Sequence, residues 1–549
     1  MGMIILTQTE EEYFSQFVDG TTFADGSAYK SLAIGSFDTA LGLTLGPGPW
    51  PFFFDIDRLL NKAFFDGQSS DAPLNTYGVI ADYLSIYGGN GNDHIEVTSA
   101  GSANILTGAG NDYIKVSGGG VAFINPGAGA DTMIGGSEQD TYFVDDAGDQ
   151  VIELGDKIDS GVGDTVSTTL LTYTLGANIE NLNLFEGDAS GYGNELNNQI
   201  MGSEGNNTLD GGAGTNYLDG WGGNDKFLVT SELSRNFITG GTGDDTLVYK
   251  QGLGVGPLPF PSVPGQSADF NGQDGIDNAA LDFSLARQVT ARLNGDAIIY
   301  DITGADGYHS TVTLTSVERV TIIGSAGNDR FYGTSGNDWI DGGAGADRIY
   351  GSAGDDGYVF DNAGDRVVNE AVGGGTDTIW ASVSVNLKDN AFVENLRLSG
   401  GAINGIGNQL ANMITGSASA NIIAGGSGND SLYGKGGADT FHFNEMGAAN
   451  KDSIWDFDAD DKISLGSVFT GLDKDNNGIV DDDAFLVLVK NGPKVSGDHA
   501  ILTYNAATGV LSYDHDGAGK DAAQDIAFVG VNKAFFDHSD ILINSSLLV

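Results

Sequence analysis

From residue 324 to 359 a large apolar side chain returns at every ninth position, at Phe331, Ile340, Ile349 and Tyr358, and small or polar residues fill most of the intervals. The four units read GSAGNDRFY, GTSGNDWID, GGAGADRIY and GSAGDDGYV. Aspartate holds position six (Asp329, Asp338, Asp347, Asp356), and glycine holds positions one and four (Gly324, Gly327, Gly333, Gly336, Gly342, Gly345, Gly351, Gly354). Glycines so placed permit positive φ and bring carbonyl groups to close approach. The apolar residue at position eight then belongs to a very short strand with one inward side chain. Two such units make one coil, and stacked coils make two parallel sheets around a thin aliphatic core. Alternate units face the same edge, so Asp329 and Asp347 share one row, and Asp338 and Asp356 share the other.

The same unit recurs at Gly88 to Glu96, with Gly88, Gly89, Gly91 and Asp93, around Asp112 and Asp131, and at Gly240 to Val248 with Asp245. Further runs fill Gly193 to Leu228 and Gly407 to His442. A longer module of about 90 residues, opening at Asp140 and echoed from Asp356, overlays them. In both copies asparagine replaces the early position-six aspartates: Asn198, Asn207 and Asn216, then Asn412 and Asn421. Stacked asparagines bond along the coil direction and bring no charge, so weak or absent metal binding is expected there, resuming at Asp225, Asp430 and Asp439.

The fold class expected is all-β: several parallel β-roll blocks, β-rich connecting segments and a short, partly helical cap at the N-terminus. Residues 1–87 carry no nonapeptide. Thr9 to Glu12 suits a capping box, and Asp55 to Phe65, closed by Gly67, reads as a second helix. This segment is expected to cap the open end of the roll or to bind a ligand or surface. A first roll covers 88–248. The segment 249–323 is a linker marked by Pro257, Pro259, Pro261 and Pro264, followed by hairpin strands. A second roll covers 324–442, and a β-rich cap covers 443–549.

Composition sharpens this picture. Glycine numbers 85 of 549 residues, but proline numbers only 10 and 40% of residues are hydrophobic, so the glycines belong to ordered turns and not to collagen or a flexible linker. Acidic residues number 75 against 24 basic ones, a formal charge of −51. Such a polyanion disfavours nucleic acid and anionic membranes and attracts cations. Carboxylates and carbonyls at the turns are hard oxygen donors suited to the six to eight contacts of calcium, whereas magnesium prefers a rigid octahedron. Without counter-charge the chain repels itself, so the fold is expected to depend on metal. Cysteine is absent, which removes disulfides and thiolate sites. The N-terminus lacks a positive leader and cleavage site, and no stretch reaches the length of a membrane span.

These units resemble the RTX (repeats-in-toxin) nonapeptide GGxGxDxUx, where U is large and apolar. The resemblance implies a calcium-bound parallel β-roll and export from a Gram-negative bacterium by the type I secretion machinery, to an extracellular or cell-surface location. It does not imply toxicity. The text DSIWDFDADDKISL, ATGVLSYDHDGAG and SDILINSSLLV resembles the region after the rolls in serralysin-type proteins, so Asp540 to Ile543 is a counterpart of their secretion signal. Asp473, Asp475, Asn477, Gly478 and Asp481 are close to an EF-hand loop, but Ala484 stands at the last ligand position. A weakened or differently closed calcium site, or a solvated acidic loop, is expected.

No HExxH or GxSxG occurs, which argues against a zinc protease or a lipase of this class. The six histidines are scattered. Carboxylate pairs for sugar chemistry stay open by count alone. Three function classes follow. The first is a surface, matrix or adhesion protein, whose partner stays open between an extracellular or cell-surface polysaccharide, a host surface and the chain itself. The others are a polysaccharide-active enzyme using 1–87 or 249–323, and a toxin or bacteriocin-like protein.

Overall fold

A computed structural model describes residues 74–154, 163–251, 266–305, 307–368, 374–401, 404–489 and 494–544, with short strand segments between residues 5 and 66. The described chain is all-β; its helical turns are three-residue 3-10 segments at Leu387–Asp389, Asp482–Ala484 and His538–Asp540. No helix among the described residues is long and apolar enough to cross a membrane. Two compact units divide near residue 277, the first being 1–277 with 314–316, the second the remainder.

In the first unit each turn of the chain lays a strand parallel to the one a coil earlier. Ile86, Ile105 and Ile124 stand in register, as do Ile95, Ile114 and Met133, and each of these six is fully buried. The coil is 19 residues here, and 18 where Ile200 pairs with Leu218 and Leu209 with Phe227. Strands such as Thr208–Asp210 are three residues long, with only the middle one buried. Glycine turns begin directly after them, which leaves room for one inward side chain, and alternation sends its two neighbours outward.

The second unit repeats this with greater regularity. Phe331, Ile349 and Val367 line one sheet; Ile322, Ile340, Tyr358, Ile379, Leu396, Ile414, Leu432 and Ile454 line the other. All are 5% exposed or less. Before the roll, Ala286–Asn294 and Ala297–Gly304 form an antiparallel hairpin. After it, Ile501–Asn505, Val510–Asp514 and Gln524–Phe528 form a meander whose last strand pairs with Asp452–Ile454, while Ile541–Ile543 pairs with Lys462–Leu465.

One expectation is corrected. The segment read as a helix over Asp55 to Phe65 is a strand, Leu59–Asp66, parallel to Leu74–Gly89 with Leu60 opposite Ala81 and Phe65 opposite Ile86. A short apolar run serves either period, and pairing on an open coil edge satisfies backbone groups that a short isolated helix leaves to water. The capping box near Thr9 and the prolines from Pro257 to Pro264 lie outside the described residues.

Because the core is one side chain thick, each inward residue has neighbours only above, below and across. Ile349→Ala is expected to cost about 3 kcal/mol, seen as a lower midpoint in chemical denaturation at fixed calcium. An unchanged midpoint would contradict a packed column.

Candidate calcium sites

At every turn the position-six side chain bonds to the coil before it. The Asp329 N–H donates to Asp347 Oδ1 at 2.7 Å and the Asp347 N–H to Asp365 Oδ1 at 3.0 Å. On the opposite edge Asp338 donates to Asp356 at 2.8 Å, and Asp356 to Asp377 at 2.9 Å. The same ladder joins Asp93 to Asp112 (2.7 Å), Asp112 to Asp131 (2.6 Å), Asp140 to Asp164 (2.6 Å) and Asp225 to Asp245 (2.8 Å) in the first unit. In the second it joins Asp430 to Asp452 and Asp439 to Asp461, each at 3.0 Å. One oxygen of each carboxylate is therefore committed to holding coil to coil.

The second oxygen sorts the turns into two kinds. Oδ2 of Asp112, Asp131, Asp225, Asp245, Asp347 and Asp430 is buried with no hydrogen-bond partner. In all six, position two has positive φ: Gly108, Gly127, Trp221, Gly241, Gly343 and Gly426. That conformation turns its N–H away from the carboxylate. Where position two is not left-handed, its N–H donates inward instead, Ser325 to Asp329 Oδ2 at 2.8 Å, Thr334 to Asp338 at 2.6 Å and Gly136 to Asp140 at 2.7 Å. A first-position glycine backs several carboxylates, open or not: a Cβ on Gly88, Gly220, Gly240, Gly342 or Gly425 would collide with Oδ2 of Asp93, Asp225, Asp245, Asp347 or Asp430. At position four, Gly345 (φ +131°) passes so close to Gly327 O that no side chain fits. Remaining glycines of the sequence motif play the same stacking part: Gly91 and Gly336 present carbonyls to Gly110 and Gly354, Gly351 O faces Gly333, Gly324 lies against Gly342 O, and Gly89 has φ 135°.

An unpartnered buried carboxylate oxygen is costly. Burial pushes the Asp347 carboxyl up to about 8; the Asp329 N–H pulls it down, and the carboxylates of Asp329, Asp365 and Asp361 push it further up. Burial likewise raises Asp225 to about 8, Asp131 to about 7 and Asp245 to about 6. A hard divalent cation fits this donor set: rigidly held, buried carboxylate oxygens without a hydrogen-bond donor.

Asparagine turns need no such ion. Asn198 Nδ2 donates to Ile179 O and Glu180 O, both at 3.1 Å, and Asn412 Nδ2 donates to Val393 O (3.2 Å) and Glu394 O (3.1 Å). Asn207 Nδ2 does the same toward Gly187 O and Ala189 O. Each Oδ1 accepts a position-two N–H, as from Asn194, Ser203, Asn408 and Ser417. The amide donates to the preceding coil's carbonyls itself.

Several ladder residues lie beyond the glycine-rich units: Asp149 and Asp365 keep the nine-residue spacing, whereas Asp164, Asp277, Asp377, Asp452 and Asp461 fall outside it. Separations of 21 to 32 residues hide these five, yet they precede an apolar residue by two, as in Asp277-Asn-Ala and Asp377-Thr-Ile. Asp140 also meets Glu153 and Asp164 in a buried cluster with one carboxylate oxygen from each within 4.8 Å of the others. In the loop resembling an EF-hand, Asp473, Asp475 and Asp481 meet equally closely. Asp473 accepts the N–H groups of Asn477 and Gly478, and Asn477 Oδ1 is taken by the Ile479 N–H. Ala484 is buried and supplies no ligand.

The RTX calcium-binding nonapeptide repeat model matches residues 85–99, 123–151, 192–227, 233–252, 323–358 and 406–441. No curated protein sequence matches the chain. Among solved structures, the extracellular lipase LipA from Serratia marcescens is similar over 71% of this chain and 46% of its own, at 14% identity and a TM-score of 0.14. The chain thus spans about half the length of that lipase. Fold and repeats together define a calcium-binding parallel β-roll. The chain carries RTX calcium-binding nonapeptide repeats, which bind several Ca²⁺ ions.

A carboxyl whose folded pKa lies above its unfolded value near 4 stabilises the fold below that value and loses the contribution as pH rises through the folded pKa. In chelator, the far-UV β signal is therefore expected to fall as pH rises from about 4 to about 8, the upper limit following Asp347 and Asp225. With millimolar calcium the trend reverses, since protons compete for the same oxygens. A β signal in chelator that grows with pH would contradict the burial of these groups.

Proposed function

We propose that this protein is secreted unfolded, folds on calcium outside the cell, and serves there as a surface, matrix or adhesion protein with polysaccharide as its partner. The observation that carries the reading is the set of buried, unpartnered Oδ2 atoms, present in both units. Without counter-charge, ladder carboxylates one coil apart repel each other, and the chain stays open enough to thread a type I secretion channel. When bound, calcium supplies the positive charge that completes each open turn. Extracellular-type sites with dissociation constants of roughly 10⁻⁴ to 10⁻³ M fill at millimolar calcium, and each adds about 1 kcal/mol to the folded state. Several sites together match the 5–15 kcal/mol net stability typical of a domain, so folding is steep in calcium.

The segment compared with a secretion signal supports the same order of events. Asp540 is buried and paired with Lys462, and Ile541–Ile543 is hydrogen-bonded to Lys462–Leu465. A receptor could read it only on an unfolded chain.

Labelled full-length protein incubated with Gram-negative cells is expected to be retained in millimolar calcium and released by chelator. Equal retention in both conditions, or release of new reducing ends from a bacterial polysaccharide, would overturn this reading.

A further inference from the structure

The second unit carries basic residues where a polyanion has little reason to place them. Of nine arginines in the chain, three form one column on successive coils: Arg330 pairs in register with Arg348, and Arg348 with Arg366. Each occupies position seven of its coil and faces outward from the sheet beside an inward Phe331, Ile349 or Val367. Arg366 ends the column, 3.5 Å from Asp389 and bonded to Ala363 O and Asp365 O. The side chains of Arg330 and Arg348 are exposed and have no ion-pair or hydrogen-bond partner among the described residues. Two residues along, Tyr332 and Tyr350 stack with centroids 4.4 Å apart and planes 13° apart. Their strands place them on the same outer face as the arginines.

Adjacent like charges repel, and sheet neighbours of one sign weaken pairing. Two unpaired guanidinium groups one strand apart, about 4.8 Å, are a cost to the fold that no internal contact offsets. A ligand with anionic groups at regular intervals would offset it. Guanidinium takes a carboxylate through two parallel N–H bonds, and phenol rings with free hydroxyls meet both the faces and the hydroxyls of sugars. The net charge of −51 acts weakly against this at physiological salt, where screening confines each charge to about 8 Å.

We propose that the Arg330–Arg348 column and the adjoining Tyr332–Tyr350 pair form a binding face for an acidic polysaccharide chain, lying along the coil axis with its carboxylates on the arginines. This deepens the surface reading above and rests on it. The test is calorimetric titration of the full, calcium-loaded chain with an oligogalacturonate. A neutral malto-oligosaccharide of the same length and a single-stranded oligonucleotide serve as comparisons.

Binding of the acidic oligomer alone is expected. R330Q/R348Q should weaken it about tenfold or more, and R330K/R348K should weaken it less. R319Q, at an exposed arginine on the other sheet, should leave it unchanged. Circular dichroism in calcium verifies the fold of each variant. No acidic binding by folded protein, an equal loss in R319Q, or equally tight oligonucleotide binding would overturn the assignment. If the folded chain adheres to cells but ignores the acidic oligomer, the column assignment falls and the surface reading stands; if it ignores both, both fall.

Discussion

The aspartate turns depend on a carboxylate with two separate duties. One oxygen of the turn aspartate accepts the N–H of the aspartate a coil earlier, as Asp347 does from Asp329, and this sets the stacking distance on both edges. The other is left, in the open turns, inside the protein with nothing to bond. A hydrogen-bonded ladder and an uncompensated charge are thus built from the same side chain. The aliphatic column is one side chain thick, and a bound cation is what would offset the stacked charges beside it.

Which turns carry that condition depends on the backbone at position two. A left-handed residue there keeps its N–H away, which leaves Oδ2 open at Asp112, Asp131, Asp225, Asp245, Asp347 and Asp430, while behind left-handed Ser352 the Tyr358 hydroxyl donates to Asp356 Oδ2 at 3.1 Å; at Ser325 and Thr334, which are not left-handed, the N–H satisfies it. Glycine reaches positive φ freely, but Trp221 (φ 74°) and Ser352 (φ 92°) also adopt it, at a steric cost that marks a constraint. Asparagine at position six is the opposite solution, since its amide donates to the carbonyls of the preceding coil. The protein therefore alternates turns with an open carboxylate oxygen and turns whose amide is satisfied within the chain.

Much of this was legible from nine-residue spacing alone. Position eight identified the core, from Phe331 to Tyr358, because only one residue per unit is large and apolar. Position six identified the ladder and its two rows. What the spacing hid had physical causes. Asp277 and Asp377 belong to the ladder, but loops of variable length precede them. The strand at Leu59–Asp66 looked helical because a short apolar run fits either period until a neighbouring edge decides. The distinction between Asp347, which is open, and Asp329, which is satisfied, rests on a backbone dihedral at Gly343 and Ser325. Residue type only hints at that angle, since serine is left-handed at Ser352 and not at Ser325.

The most direct test of this account is anomalous diffraction at long wavelength from crystals grown in calcium, which locates each ion without reference to sequence. Ions are expected beside Oδ2 of Asp112, Asp131, Asp225, Asp245, Asp347 and Asp430, and none at Asn198, Asn207 or Asn412. Peaks at the asparagine turns, or empty turns at those aspartates, would contradict the claim that an orphaned carboxylate oxygen is what makes this fold a calcium-dependent one.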